Sequence, residues 1–253
     1  TDVRIDTSAQ GQSWDNEVIS KQQFEDGLRQ VEPELSDEEL DELPISTVMD
    51  GKVQTFPDAA ALDEALSTVP AGNFHITDDD LGIGGSKQKY ARNVEAIRTL
   101  FKLEEEHRGA TAEEQQVLSQ YVGWGGLADA FDPGKDSWAK EYAELKGLLS
   151  EDEYAAARSS TLNAHYTSPV VIRSIYDAVE RMGFQSGNIL EPSMGVGNFF
   201  GMLPDTMADS RLYGVELDSI TGRIAKKLYP QADITVAGFE TTDRRDFYDL
   251  AVG

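Results

Sequence analysis

The sequence predicts an α/β fold: an incomplete parallel sheet at the C-terminal end, preceded by a helical domain and an acidic N-terminal region. Three observations predict it. From residue 164 short apolar runs alternate with amphipathic helical patterns, an order that short loops join into a parallel sheet with helices on both faces. Between 71 and 163 the apolar spacing is helical. Before that, acids dominate: residues 1–90 hold 20 acidic and 6 basic side chains. The chain therefore divides at 1–70, 71–163 and 164–253.

Composition narrows the functional classes. The 253 residues carry 46 acidic and 22 basic side chains, a formal net charge of -24, no cysteine and three histidines. A hydrophobic fraction of 40% is enough for a buried core. No run of about 18 apolar residues occurs, so no transmembrane helix and no membrane partner are expected. The first residues lack a charged region followed by an apolar stretch, so no signal peptide is read and a cytoplasmic location is expected. Without cysteine there is neither a disulfide scaffold nor a thiolate zinc site. With three isolated histidines, no metal centre is expected. The charge argues against a broad basic surface for nucleic acid, because phosphate neutralisation needs clustered Lys and Arg.

The elements follow in order. The run Glu32 to Glu42, with a capping-box pattern at Ser36-Asp37-Glu38-Glu39, reads as a solvated acidic helix or linker. Gly82-Ile83-Gly84-Gly85-Ser86-Lys87 lacks phosphate-loop spacing and reads as a connector before a helix. Val94, Ile97 and Phe101 share one helical face, and Gly109 is the expected stop. Thr111-Ala112-Glu113-Glu114 opens a second helix with Val117, Leu118, Tyr121 and Val122 as its buried stripe. Gly123-Trp124-Gly125-Gly126 breaks it, and Trp124 reads as a core plug beside a tight turn. Ser150-Glu151-Asp152-Glu153 opens a third helix.

The sheet half begins with Ser168-Pro169, an N-cap followed by Pro at the first helical position. Val171, Ile172, Ile175, Val179 and Met182 are expected to face inward, with Gly183 as the stop. Strands are expected at 188–191, 211–217, 232–236 and 247–252, with a helix at 219–228.

In such sheets ligands sit outside the carboxyl ends of the strands. The turn after the first strand reads Glu191-Pro192-Ser193-Met194-Gly195-Val196-Gly197-Asn198-Phe199-Phe200. Glycines there let the backbone approach a ligand. The second strand ends Gly214-Val215-Glu216-Leu217-Asp218, and an acid at that end can accept from a ribose diol. These features alone fit either a dinucleotide or S-adenosylmethionine. The glycines at 195, 197 and 201 put the third one place late for G-x-G-x-x-G.

The run Glu191 to Phe199 resembles the acid-Pro-x-x-Gly-x-Gly-Asn-Phe motif of DNA adenine-N6 methyltransferases. His165-Tyr166-Thr167-Ser168-Pro169 is similar to their Tyr-Thr-x-Pro segment, and Gly214 to Asp218 to their ribose-binding strand end. Tyr121-Val122-Gly123-Trp124-Gly125-Gly126-Leu127 and Leu162 to Thr167 resemble the segment before the methylase in very large helicase–methylase proteins of bacterial mobile elements. The resemblance covers about 72–253 and implies a Rossmann-like S-adenosylmethionine-dependent methyltransferase core.

The resemblance also implies roles. Glu191 would hold the cofactor's ammonium, and Gly195 and Gly197 would pass under its methionine moiety. Tyr166 and Thr167, with Pro169, would close the methionine end. Glu216 would bind the ribose, with Leu217 beside the adenine. Pro192, Ser193, Asn198 and Phe199 complete the motif. At the third strand's end Gly238 stands where the family often has an Asp on the adenine amine, and Phe239 would pack on the ring. The family's methyl-transfer loop, Asn/Asp-Pro-Pro-Tyr/Phe, occurs nowhere in the chain. The expectation is a cofactor-binding fragment that does not methylate alone, with DNA engaged by the full-length protein rather than by this acidic part. The rival is a non-enzymatic acidic interaction protein that mimics DNA.

Overall fold

The computed structural model describes residues 2–3, 44–49, 52–58, 60–61, 71–78, 82–162 and 166–253. Residues 1–69 and 70–253 form two compact units. The first contains an antiparallel sheet of β1 (Asp2–Val3), β2 (Ile45–Met49) and β3 (Lys52–Phe56). Met49 pairs with Lys52, so only Asp50-Gly51 separates the strands, the residue pair that two-residue hairpins favour. The capping-box pattern at Ser36 and the acidic run around it lie outside the described residues.

The second unit starts with α1 (Ser86–Glu105), which buries Tyr90, Val94, Ile97 and Leu100 along one side. Its stop is not Gly109. His107 takes a left-handed conformation (φ 53°), and the Arg108 N–H donates to the Leu103 carbonyl at 3.2 Å. That six-to-one bond closes the helix before Gly109 is reached. The capping boxes at Thr111/Glu114 and Ser150/Glu153 both form and open α2 (Ala112–Ser119) and α4 (Glu151–Ser160). Between them lies α3 (Ala139–Leu148).

Trp124 is a core plug, 1% exposed, edge-on to Phe131 and Tyr121. Asn93, buried in α1, holds the turn around it. Its amide donates to the Gly123 carbonyl at 2.6 Å, and its Oδ1 accepts from the Val122 N–H at 2.9 Å.

Next come α5 (Pro169–Arg181), β4 (Asn188–Glu191), the single turn α6 (Asn198–Gly201), β5 (Arg211–Glu216), α7 (Ser219–Leu228), β6 (Asp233–Val236) and β7 (Leu250–Ala251). In α5 two expected inward residues face solvent: Val171 is 48% and Met182 78% exposed. Ile172 and Val179 are buried as expected, with Ile175 partly buried against the core, and Tyr176 joins their line, donating its hydroxyl to the Phe199 carbonyl at 2.8 Å. Ser168 sits at the N-cap without a side-chain hydrogen bond.

The four strands pair in parallel in the order β6-β5-β4-β7. Consecutive residues Ile189 and Leu190 of β4 are both buried. Neighbours on a strand point to opposite faces, so both faces are covered at β4. The strand order reverses between β4 and β7, which puts the crevice at the carboxyl end of β4. No described helix is long and apolar enough to cross a membrane.

The helices before residue 163 and the sheet share one hydrophobic core. Polar ties reinforce it. Arg223 of α7 donates through both Nε (2.8 Å) and a terminal nitrogen to Glu104 of α1, and through its other terminal nitrogen to Glu153 of α4 at 2.7 Å. Buried Gln115 of α2 donates to the carbonyls of Gly72 (2.7 Å) and Leu228 (3.1 Å).

Replacing Asn93 with Ala leaves a buried N–H and a buried carbonyl unpaired, each costing about 1–3 kcal/mol. Asn93→Ala is expected to lower the urea midpoint at constant m-value. An unchanged midpoint would show that the Gly123–Trp124 turn does not depend on this side chain.

Candidate functional site

β4 and β5 run side by side with Glu191 opposite Gly214, so Glu191 and Glu216 stand at neighbouring strand ends. The turn between β4 and α6 folds over those ends. Its Gly195 N–H donates to Glu216 Oε2 at 2.8 Å, while the Asp218 N–H donates to Glu216 Oε1 at 2.8 Å. Gly195 has φ 56°, and a side chain there would meet the Tyr166 ring, 2.8 Å from the added Cβ. This position therefore requires glycine both by conformation and by space. Asp218 caps α7, accepting from the Thr221 N–H at 2.8 Å and the Thr221 hydroxyl at 2.6 Å.

A cavity of about 820 Å³ opens over these groups. Five carboxylates line it, those of Asp152, Glu153, Glu191, Glu216 and Asp218, and no Lys, Arg or His does among the described residues. Glu191 is 3% exposed, and its Oε2 has no hydrogen-bond partner. Burial, and secondarily the charge of Glu216, pushes the Glu191 carboxyl well above the ordinary carboxylate range. Burial raises Glu216 as well, against the opposing effect of its backbone donors. Two acids thus share a dry corner with no cation to compensate them.

The structure brings most of the expected site residues to this cavity. Tyr166, Thr167, Glu191, Ser193, Gly195, Asn198, Phe199, Glu216 and Leu217 line it; Pro169, Pro192, Gly197 and Phe239 do not. Gly197 has φ 86°, and its missing side chain faces the buried Tyr229 ring, 2.5 Å from an added Cβ. Its glycine serves core packing. Phe239 begins a 3-10 turn (Phe239–Thr241) that leaves it 49% exposed. Residues outside the expected set also form the wall: Tyr121, Gly123, Asp218, Thr221 and one side of α4, including Asp152 and Ser160. The Tyr121-to-Gly126 motif was the one visible signal for them, and helical periodicity assigned it to a separate segment.

No family model matches the chain. The curated protein Type II methyltransferase M.CvrRI of Paramecium bursaria Chlorella virus XZ-6E is 34% identical over 89 residues, 35% of this chain and 23% of its own length. This chain is similar to a methyltransferase. Defense against restriction protein B of Escherichia phage P1 is 25% identical over 146 residues, 56% of this chain and 5% of its own length. The chain thus spans under a quarter of either relative. A solved structure from Listeria monocytogenes, described as a class I S-adenosylmethionine-dependent methyltransferase, matches at 12% identity, covering 65% of this chain and 58% of its own. Its TM-score of 0.30 is too low to bear on the fold. The four strands form a parallel, Rossmann-like sheet behind a helical segment, the α/β class expected from the sequence.

The site suits a cationic ligand. An orphaned buried carboxylate oxygen is an open acceptor for an ammonium, and the all-acidic lining opposes a diphosphate. A dinucleotide therefore fits poorly, whereas S-adenosylmethionine, with an ammonium, a sulfonium and a single carboxylate, fits.

Because burial raises the Glu191 pKa, the folded chain binds this proton more tightly than the unfolded one. Stability is complete below the ordinary Glu pKa of about 4.3 and falls as pH rises through the raised value. Glu191→Gln removes that loss. The variant is expected to melt above wild type at pH 7, by an increment that shrinks to zero near pH 4. A constant difference at both pH values would assign the effect to packing.

Proposed function

We propose that this chain binds S-adenosylmethionine as the cofactor-binding half of a DNA adenine-N6 methyltransferase. The observation that carries the reading is the buried, unpartnered Glu191 carboxylate beside Glu216 in a cavity that no basic side chain lines among the described residues. The adenine-N6 reading rests on the resemblance of the motif Glu191 to Phe199 alone; one curated relative is named as a type II methyltransferase.

The cofactor supplies a methyl group on a sulfonium. This chain's residues bind and orient it. Glu191 would take the ammonium. Glu216 keeps its two backbone donors and still has lone pairs for the ribose hydroxyls. Tyr166 stacks on Gly195 and, with Thr167, borders the methionine end. Ser193 and Asn198 supply neutral hydrogen-bonding groups in a wall that has no cation for the ligand's carboxylate.

Methylating adenine requires a flipped base with its amine held by acceptors and an aromatic wall. The Asn/Asp-Pro-Pro-Tyr/Phe tetrapeptide that does this in the family is absent from these 253 residues. We therefore propose that the chain alone does not transfer methyl, and that DNA is gripped by other parts of a longer protein. Both curated relatives are several times longer than their matched segments.

Calorimetric titration with S-adenosylmethionine tests the binding. Wild type is expected to bind. Glu216→Ala is expected to weaken binding about tenfold or more. Binding indifferent to that change, or no binding, would defeat the assignment. Transfer of a labelled methyl to DNA by this chain alone would refute its inactivity.

A further inference from the structure

The resemblance places one adenine contact, Phe239, at the end of the third strand, but that end lies outside the cavity. Phe239 points to solvent and neither it nor Gly238 borders the cavity. Leu217 is itself 76% exposed, so it forms only one edge of a nucleoside site. The remaining wall comes from the helical segment before residue 163.

Two of its groups stand out. Tyr121 is buried and lines the cavity, with its phenol beside Thr221 and in electrostatic reach of Asp218 and Glu216, the ribose end of the site. Asp152 lies in the first turn of α4 on the same cavity. Its neighbouring acids are engaged: Glu153 by Arg223 and Ser150, Asp218 by Thr221. Among the described residues Asp152 has no hydrogen bond or ion pair. Its helix is pinned to the sheet by the Arg223 clamp, so its position is held while its carboxylate stays open.

Resting on the S-adenosylmethionine reading, we propose that the helical segment supplies the adenosine wall of the cofactor site. Tyr121 packs along the nucleoside, and Asp152 accepts a hydrogen bond from the exocyclic amine of the purine. A carboxylate takes the role that Gly238 cannot fill, from a different part of the chain. The chemistry makes this selective. A carboxylate accepts from a 6-amino group and repels a 6-oxo group, whereas an amide can turn its N–H₂ toward the oxo form.

The test titrates the full chain with S-adenosylhomocysteine and with its 6-oxo counterpart, S-inosylhomocysteine. Wild type is expected to prefer the amino form. Asp152→Asn is expected to lose about tenfold toward the amino form and to narrow or reverse the preference, with an unchanged melting midpoint. Phe239→Ala is expected to bind as wild type. A variant Asp152→Asn that keeps wild-type preference, or a loss of affinity in Phe239→Ala, would overturn the assignment while leaving the cofactor reading intact. Failure of wild type to bind either nucleoside would instead overturn the cofactor reading itself.

Discussion

The parallel register of β4 and β5 is the constraint on which the site depends. It sets Glu191 and Glu216 at adjacent strand ends, under a turn that excludes water from the first of them. Like charges in a medium of low polarity repel strongly, and no base among the described residues lines the corner to relieve them. Burial and the neighbouring charge accordingly push the Glu191 carboxyl above its ordinary range. The destabilised corner and the binding site are the same feature, a common outcome where function opposes local stability.

The helical segment belongs to the same argument. A parallel sheet needs both faces covered, and part of the cover doubles as cavity wall. Asn93 fixes the turn that carries Gly123 and Trp124, and Arg223 fixes α4 against α1 and α7. These ties are polar and partly buried, so they hold direction as well as distance. The result is a cavity wall in which Tyr121 and Asp152 are supported from behind. The net charge of -24 has a local counterpart here: the charged side chains that line the cavity among the described residues are all acids.

Much of this was legible from local rules. The capping boxes at Thr111 and Ser150 formed because a hydroxyl and a carboxylate three residues apart satisfy each other's backbone. The helix Ser219–Leu228 and the strand Asn188–Glu191 appeared at the expected bounds. Asp50-Gly51 carried a hairpin signal that the acidity of its surroundings obscured. Periodicity found the inward stripe of α5 through Ile172 and Val179 but drew it too wide, since Val171 and Met182 lie at its margins and face solvent. Gly109 misled because a non-glycine, His107, took the left-handed position first.

By itself, the sequence determined the order of elements, the acid-and-glycine turn between β4 and α6, and the acid at the end of β5, because each follows from residues close together in the chain. Tertiary structure alone decided which of those residues share a cavity. Gly197 turned out to serve the Tyr229 ring, Phe239 turned to solvent, and Tyr121 and Asp152 came in from a segment far upstream. Such meetings depend on how helices pack across a sheet, and packing between distant segments leaves no mark in the local spacing of residues.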